Sequence, residues 1–253
     1  LRSIPLYPAI QAIRNSPVWK TQASWLSESA QSVLELYNPL VMSKMSWLRE
    51  AAALDPFHTD TFLFVDAAHH CHTPHEITKK YEKAILQQYL PTDKLVVTGF
   101  DYQPHSGEIH GFDERSFRSY LGLNPLGKED LAVVRGGIFG GQKHVIELVD
   151  DVLQIMMEET LSKGFMGTEE NILSMLYYRF PQLVSYFDIA DNGACAAFEA
   201  FADTIPTRLN LRGLECATEL DGSYVCYHSR RSRQYCPSHV TPAYLTRAAG
   251  LKC

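Results

Sequence analysis

Long apolar runs are missing from this 253-residue sequence: none would span a bilayer, so any membrane anchor is expected only upstream of Leu1. Positive charge is also scarce. Lys and Arg number 23 against 29 Asp and Glu, a formal net charge of −6, so no nucleic-acid partner is expected. Leu1-Arg2-Ser3-Ile4-Pro5 lacks the basic stretch and apolar stretch of a signal peptide and reads as the start of a trimmed chain. Internal repeats, low-complexity segments and the G-x-G-x-x-G dinucleotide fingerprint are absent as well.

What is present is enough for a core. Hydrophobic residues make up 45% of the chain and charged residues 21%, which fits one large domain, or one domain with a small appendage, and not wholesale disorder. Cysteine is unevenly spread: of Cys71, Cys195, Cys216, Cys226, Cys236 and Cys253, five fall in the last quarter. That clustering predicts disulfides and a secretory-pathway lumen (Golgi or ER) or secreted setting; free thiols in a cytosolic protein are the alternative.

The pattern alternates strands with helices. Residues 27–55 read as helical with a break at Asn38-Pro39. Thr61-Phe62-Leu63-Phe64-Val65 reads as a buried central strand of the kind found in parallel sheets. Thr73 caps a helix running to about residue 90, and residues 94–98 form the next strand. Residues 99–112 read as a loop, 131–134 as a strand, 142–162 as a long amphipathic helix, 169–180 as a helix capped by Thr168, and 183–188 as a last strand. Such alternation predicts an α/β sheet. Asp221-Gly222 predicts a two-residue hairpin turn, which would set Cys226 opposite Ala217 and leave Cys216 out of register with it.

Chemistry concentrates in four places. Asp66 follows an apolar strand, at the edge of an open α/β sheet where ligands bind; it would ligate Mn²⁺ or Mg²⁺, or cap a turn, and spacing alone leaves both open. His69, His70, His72 and His75 crowd the next segment, as a polar active-site loop or as zinc ligands. Gly136-Gly137 and Gly140-Gly141 flank Ile138-Phe139 at a strand-to-helix junction and read as a ligand-binding loop, with tight packing the alternative. Glu169 and Glu170 open a helix, where the dipole favours acidic residues and where one could take a proton from a hydroxyl. His228-Ser229-Arg230-Arg231-Ser232-Arg233 reads as a solvated basic loop, with phosphate contact and a metal-binding His228 as the alternative.

Four stretches taken in order resemble the HtrL/YibB family. They are Tyr37-Asn38-Pro39-Leu40-Val41-Met42-Ser43-Lys44; Asp55-Pro56-Phe57 leading to Phe62-Leu63-Phe64-Val65-Asp66-Ala67; Gly136 to Gly141; and Gly167-Thr168-Glu169-Glu170-Asn171-Ile172-Leu173. The resemblance spans roughly residues 35–190. It implies a GT-A-like (Rossmann-like) mixed sheet flanked by helices and a hexosyltransferase-class glycosyltransferase. Such an enzyme takes a sugar from a nucleotide-diphosphate donor, UDP favoured, to a hydroxyl on a glycan or protein.

By that likeness Asp66 binds a divalent metal. Lys44, Ala67, Ala68, Gly136, Gly137, Gly140 and Gly141 hold the donor or its sugar, and Glu169 or Glu170 is catalytic. His228, which lies outside the likeness, is a second metal candidate from its place before the basic run. The expected organisation is a glycosyltransferase domain over residues 1–190, helical over 1–58 and with its first strand upstream, then a Cys-rich segment over 191–253. Two other functions fit the residues: a zinc-dependent hydrolase built on His69 to His75, and an inactive binding module.

Overall fold

The computed structural model describes residues 4–21, 26–66, 90–102, 108–109, 112–188, 214–218 and 224–228. Its N-terminal part is helical: α1 (Tyr7–Arg14), α2 (Pro17–Lys20), a 3₁₀ turn (Leu26–Glu28), α3 (Ala30–Val33), α4 (Tyr37–Met42) and α5 (Lys44–Leu54). The strands and helices that follow are β1 (Thr61–Val65), β2 (Leu95–Tyr102), β3 (Glu108–Ile109), β4 (Phe112–Asp113), α6 (Glu114–Tyr120), β5 (Leu131–Gln142), α7 (Lys143–Ser162), α8 (Glu169–Arg179) and β6 (Val184–Asp188). A separate hairpin pairs β7 (Leu214–Thr218) with β8 (Tyr224–His228). Among the described residues no helix is long and apolar enough to cross a membrane.

The main sheet has the order β1-β5-β2-β6. β5 runs antiparallel to both β1 and β2, while β2 and β6 are parallel, so β1, β2 and β6 all point the same way. The protein is therefore a mixed α/β structure. α7 buries Val145, Ile146, Val149, Leu153, Met156, Met157 and Leu161, one continuous stripe at helical spacing, in the core that the sheet shares.

Several expectations are corrected. β1 is not a central strand: among the described strands it lies outermost, half-buried, with Phe64 stacked on Phe139 of β5 at 5.1 Å. An aromatic, β-branched run serves an outer strand as well as an inner one, because packing one face suffices. The glycine pairs do not form a loop. β5 continues through them to Gln142, and all four glycines are buried. Residues 99–112 are not one loop either, since β2 extends to Tyr102 and the short β3 and β4 follow.

Asn38-Pro39 does not break the helix. Pro39 sits in the first turn of α4, where a missing N–H breaks no helical bond. The helical path is interrupted instead around residues 34–36 and at Ser43. In the β7–β8 hairpin the connection is five residues, 219–223, not two, and this slips the register so that Cys216 pairs opposite Cys226.

Candidate functional site

α8 replaces a strand along part of β5. β1 covers β5 only from Ile138 to Gln142. Beyond that, the N–H groups of Ala132, Val134 and Gly136 donate to Tyr178 Oη (2.9 Å), Ser174 Oγ (2.9 Å) and Glu170 Oε1 (3.1 Å). Alternate residues of a strand advance about 6.7 Å and every fourth residue of a helix about 6 Å, so a polar stripe at four-residue spacing matches the strand edge. Each of these buried donors would cost about 1–3 kcal/mol if left unpaired. The end of β1 and the start of α8 therefore meet at Gly136-Gly137, where the Asp66 N–H extends the ladder to Gly137 O at 2.8 Å.

The N-terminal helices fix the turn before α8. Trp19, 1% exposed, donates its Nε1–H to Met166 O at 2.8 Å, and Asn38 Nδ2 donates to Gly167 O at 3.0 Å. Asn171, fully buried, accepts from the Thr168 N–H at 2.9 Å and donates to Ile109 O at 3.1 Å. The capping expected of Thr168 is therefore reinforced from residue N3 of the helix.

Lys44 closes the site. It is the first residue of α5, an end where the helix dipole disfavours a cation. Its Nζ donates to Glu169 Oε1 at 2.6 Å, Gly136 O at 3.1 Å and Asp66 Oδ2 at 3.2 Å, and lies 5.3 Å from the centroid of the Phe64 ring. One ammonium thus joins the starts of α5 and α8, the end of β1 and the middle of β5. The side chains of Lys44 and Glu169 are 10% and 12% exposed while that of Asp66 is 26% exposed, so the cluster opens on the Asp66 side. Behind it a cavity of about 20 Å³ is walled by Met42, Met45, Phe139, Leu153 and Ile172, which keeps that flank apolar.

This environment moves the titrations. Burial pushes the Glu169 carboxyl above its ordinary range; the Lys44 ammonium opposes that shift and the Glu170 charge adds to it. Burial alone would lower Lys44, but the charges and hydrogen bonds of Glu169 and Asp66 outweigh it and hold the ammonium above its ordinary value. Burial, and next the Glu169 charge, raise the Tyr37 phenol. Glu169 is therefore more basic than a surface carboxylate, which suits a proton acceptor.

Glu170 is placed differently. Besides the Gly136 N–H it holds Arg135 Nη1 at 3.3 Å, and that guanidinium lies 5.6 Å from the Phe100 ring centroid. Its carboxylate anchors β5 through these contacts.

The structure thus brings together Lys44, Asp66, Gly136, Gly137, Glu169 and Glu170. It sets Gly140 and Gly141 further along β5, about 13 Å from Gly136 by strand rise, against backbone of β1 and the start of β2. A Cβ on Gly140 would meet Phe62 O and lie 2.8 Å from Leu63 Cα. A Cβ on Gly141 would lie 3.0 Å from Lys94 O. Both glycines therefore serve close strand packing. Ala67, Ala68, the histidines 69–75, the helix expected to residue 90 and the basic residues 230–233 lie outside the described residues; of His228 only the backbone, in β8, is described. Arg135, Tyr37 and the Ser174–Tyr178 stripe were not among the expected site residues. The polar four-residue spacing in an otherwise buried helix was the available signal for the last two.

A sequence model of a bacterial protein family of unknown function, HtrL_YibB, matches residues 11–203. No curated protein and no solved structure matches the chain. The match covers most of the sequence, and the chain belongs to the HtrL_YibB family.

Proposed function

We propose that this HtrL_YibB-family protein is a GT-A-like glycosyltransferase that moves a hexosyl group from a nucleotide-diphosphate sugar, UDP favoured, to a hydroxyl on a glycan or protein. The observation that carries the reading is the Lys44 ammonium held between Asp66, at the carboxyl end of β1, and Glu169, at the start of α8. β1, β2 and β6 run toward the same edge of the sheet, the edge at which open α/β sheets bind ligands.

Two cations, Lys44 and Arg135, stand beside three carboxylates there. A donor diphosphate arriving at Asp66 competes with Glu169 for the Lys44 ammonium. As Lys44 turns to the phosphate, Glu169 Oε1 is released. It then takes the proton of the acceptor hydroxyl while that oxygen bonds to the anomeric carbon, and the bond from that carbon to the phosphate oxygen breaks.

A Mn²⁺ or Mg²⁺ ion is part of this proposal. Among the described residues no three His, Cys, Asp or Glu are grouped to hold a metal. Ions of this kind are commonly held by one or two carboxylates and the ligand's own phosphates, which Asp66 fits. When bound there, such an ion would neutralise the departing diphosphate.

Release of UDP from UDP-hexoses, with and without hydroxyl acceptors, tests the reading. Acceptor-dependent release is expected from the wild-type protein and falls about 10²–10⁴-fold in Glu169→Gln, which keeps the shape and removes the base. Full turnover in that variant would overturn the role of Glu169. Nucleotide binding without any turnover would instead favour a binding module.

A further inference from the structure

At the far end of α8, ten residues and about 15 Å along the helix from Glu169, lies a second cavity, of about 440 Å³. That volume falls in the range of small-molecule sites, about 300–1,000 Å³. It is far larger than the void behind Lys44, and none of the residues so far given a role lines it.

Its walls combine two kinds of surface. Tyr120 of α6 and Phe165, after α7, line it with aromatic surface; their ring centroids are 5.7 Å apart at an interplanar angle of 68°, Phe165 also stacks on Phe112 at 5.9 Å, and Lys163 Nζ lies 5.3 Å from the Tyr120 centroid. Glu159 is held between Lys163 Nζ, which donates to Oε1 at 3.3 Å, and Arg179 Nη1, which donates to Oε2 at 3.1 Å. The hydroxyls of Ser116 and Ser119 complete the polar lining. Hydrogen bonding from Arg179, and then from Lys163, holds the Glu159 carboxyl below its ordinary range despite some burial, so it remains an acceptor at neutral pH.

The charges nearly cancel. Lys163 and Arg179 bring two positive charges and Glu159 one negative. Lys163 caps the end of α7 and Arg179 lies in the last turn of α8, and each of those helix ends carries about half a negative charge from the helix dipole. A fully charged ligand of either sign gains little from such a balance. A neutral ligand gains from fixed donors, a fixed acceptor and rotatable hydroxyls set beside the aromatic surface of Tyr120 and Phe165. A sugar ring offers the complement: alternating hydroxyl donors and acceptors around its rim, and an apolar C–H face.

We propose that this cavity is a binding subsite for a neutral mono- or disaccharide unit. The claim concerns binding alone and does not require the Lys44 cluster to perform transfer. Where transfer occurs, the subsite holds a glycan at a distance from the reacting end.

Titration of the isotope-labelled protein with maltose, lactose and N,N′-diacetylchitobiose, followed by two-dimensional NMR, tests it. At least one of these sugars is expected to shift the resonances of α6 and the end of α7. Ser119→Trp fills the mouth from an exposed helical position and should weaken that binding at least about tenfold, with the unfolding midpoint unchanged. Glu169→Gln, at the other end of α8, should bind the sugar as the wild type does, which separates failure of this inference from failure of the transferase reading. Inorganic phosphate and glucuronate should not displace the sugar. The inference is overturned if none of the three sugars shifts those resonances, if phosphate or glucuronate binds in their place, or if Ser119→Trp binds unchanged.

Discussion

Lys44→Met is expected to destabilise the protein by about 3–5 kcal/mol near neutral pH, the cost of removing one partner from a buried ion pair. The variant leaves Glu169 buried against Glu170 with no cation at 2.6 Å and strips Gly136 O of its donor. The pH dependence follows from the two raised values. In the wild type the Lys44 contribution is fully present below the ordinary lysine pKa of 10.5 and is lost as pH rises through its higher folded value. Glu169, raised above 4.5, favours the folded state at acid pH and loses that as pH rises through its folded value.

Without Lys44 the Glu169 carboxyl climbs further, so the deficit of the variant is largest at about pH 8 and is smaller at about pH 4–5, because Glu169 takes up its proton as pH falls. Denaturant titrations at the two pH values measure this. Lys44→Met/Glu169→Gln should recover part of the loss, with a coupling energy of about 0.5–3 kcal/mol. A Lys44→Met protein with the wild-type unfolding midpoint at both pH values would remove the cluster from the account.

Gly140→Ala is expected to be nearly as damaging, through backbone alone. The added methyl would press on Phe62 O and sit 2.8 Å from Leu63 Cα, and neither atom can turn away as a side-chain tip can. Gly140 pairs with Leu63 on one side and Val96 on the other, so β5 cannot retreat from β1 without disturbing β2. Overpacking of this kind costs about 1–3 kcal/mol, and more where backbone must move. Because Asp66 directly follows β1, separating the strands also draws that carboxylate away from Lys44. The expected result is a lower unfolding midpoint together with weaker nucleotide binding. A stable Gly140→Ala protein with unchanged binding would show that β1 does not position the site.

How far the sequence reveals these features differs from element to element. α7 and α8 are legible because helical spacing persists over many residues and Thr168 marks a start. The strands β2 and β6 are legible as short apolar runs. β5 is legible only in its first half. Glycine is depleted in strands, so the paired glycines suggest a loop, and only their neighbours show why the strand needs them: the Glu169 side chain, whose Cγ would lie 2.6 Å from a Gly136 Cβ, and the backbone of Phe62 and Lys94.

The outer place of β1 is illegible for another reason. Its composition reports one packed face and says nothing of which neighbours it has. Lys44, Asp66 and Glu169 are far apart in the chain, at separations of 22 and 125 residues from Lys44. Their meeting depends on β1 ending where α8 begins, a property of strand register that no local pattern encodes.

The central claim is that the carboxylate at the end of β1 and the Lys44 ammonium form a nucleotide-diphosphate site. Calorimetric titration of UDP into the wild-type protein and into Asp66→Ala, each with Mn²⁺, tests it most directly. The account predicts saturable binding to the wild type, and binding at least about tenfold weaker to an Asp66→Ala protein that still unfolds in one cooperative transition. No heat of binding with either UDP or GDP, or equal affinity in the two proteins, would contradict it.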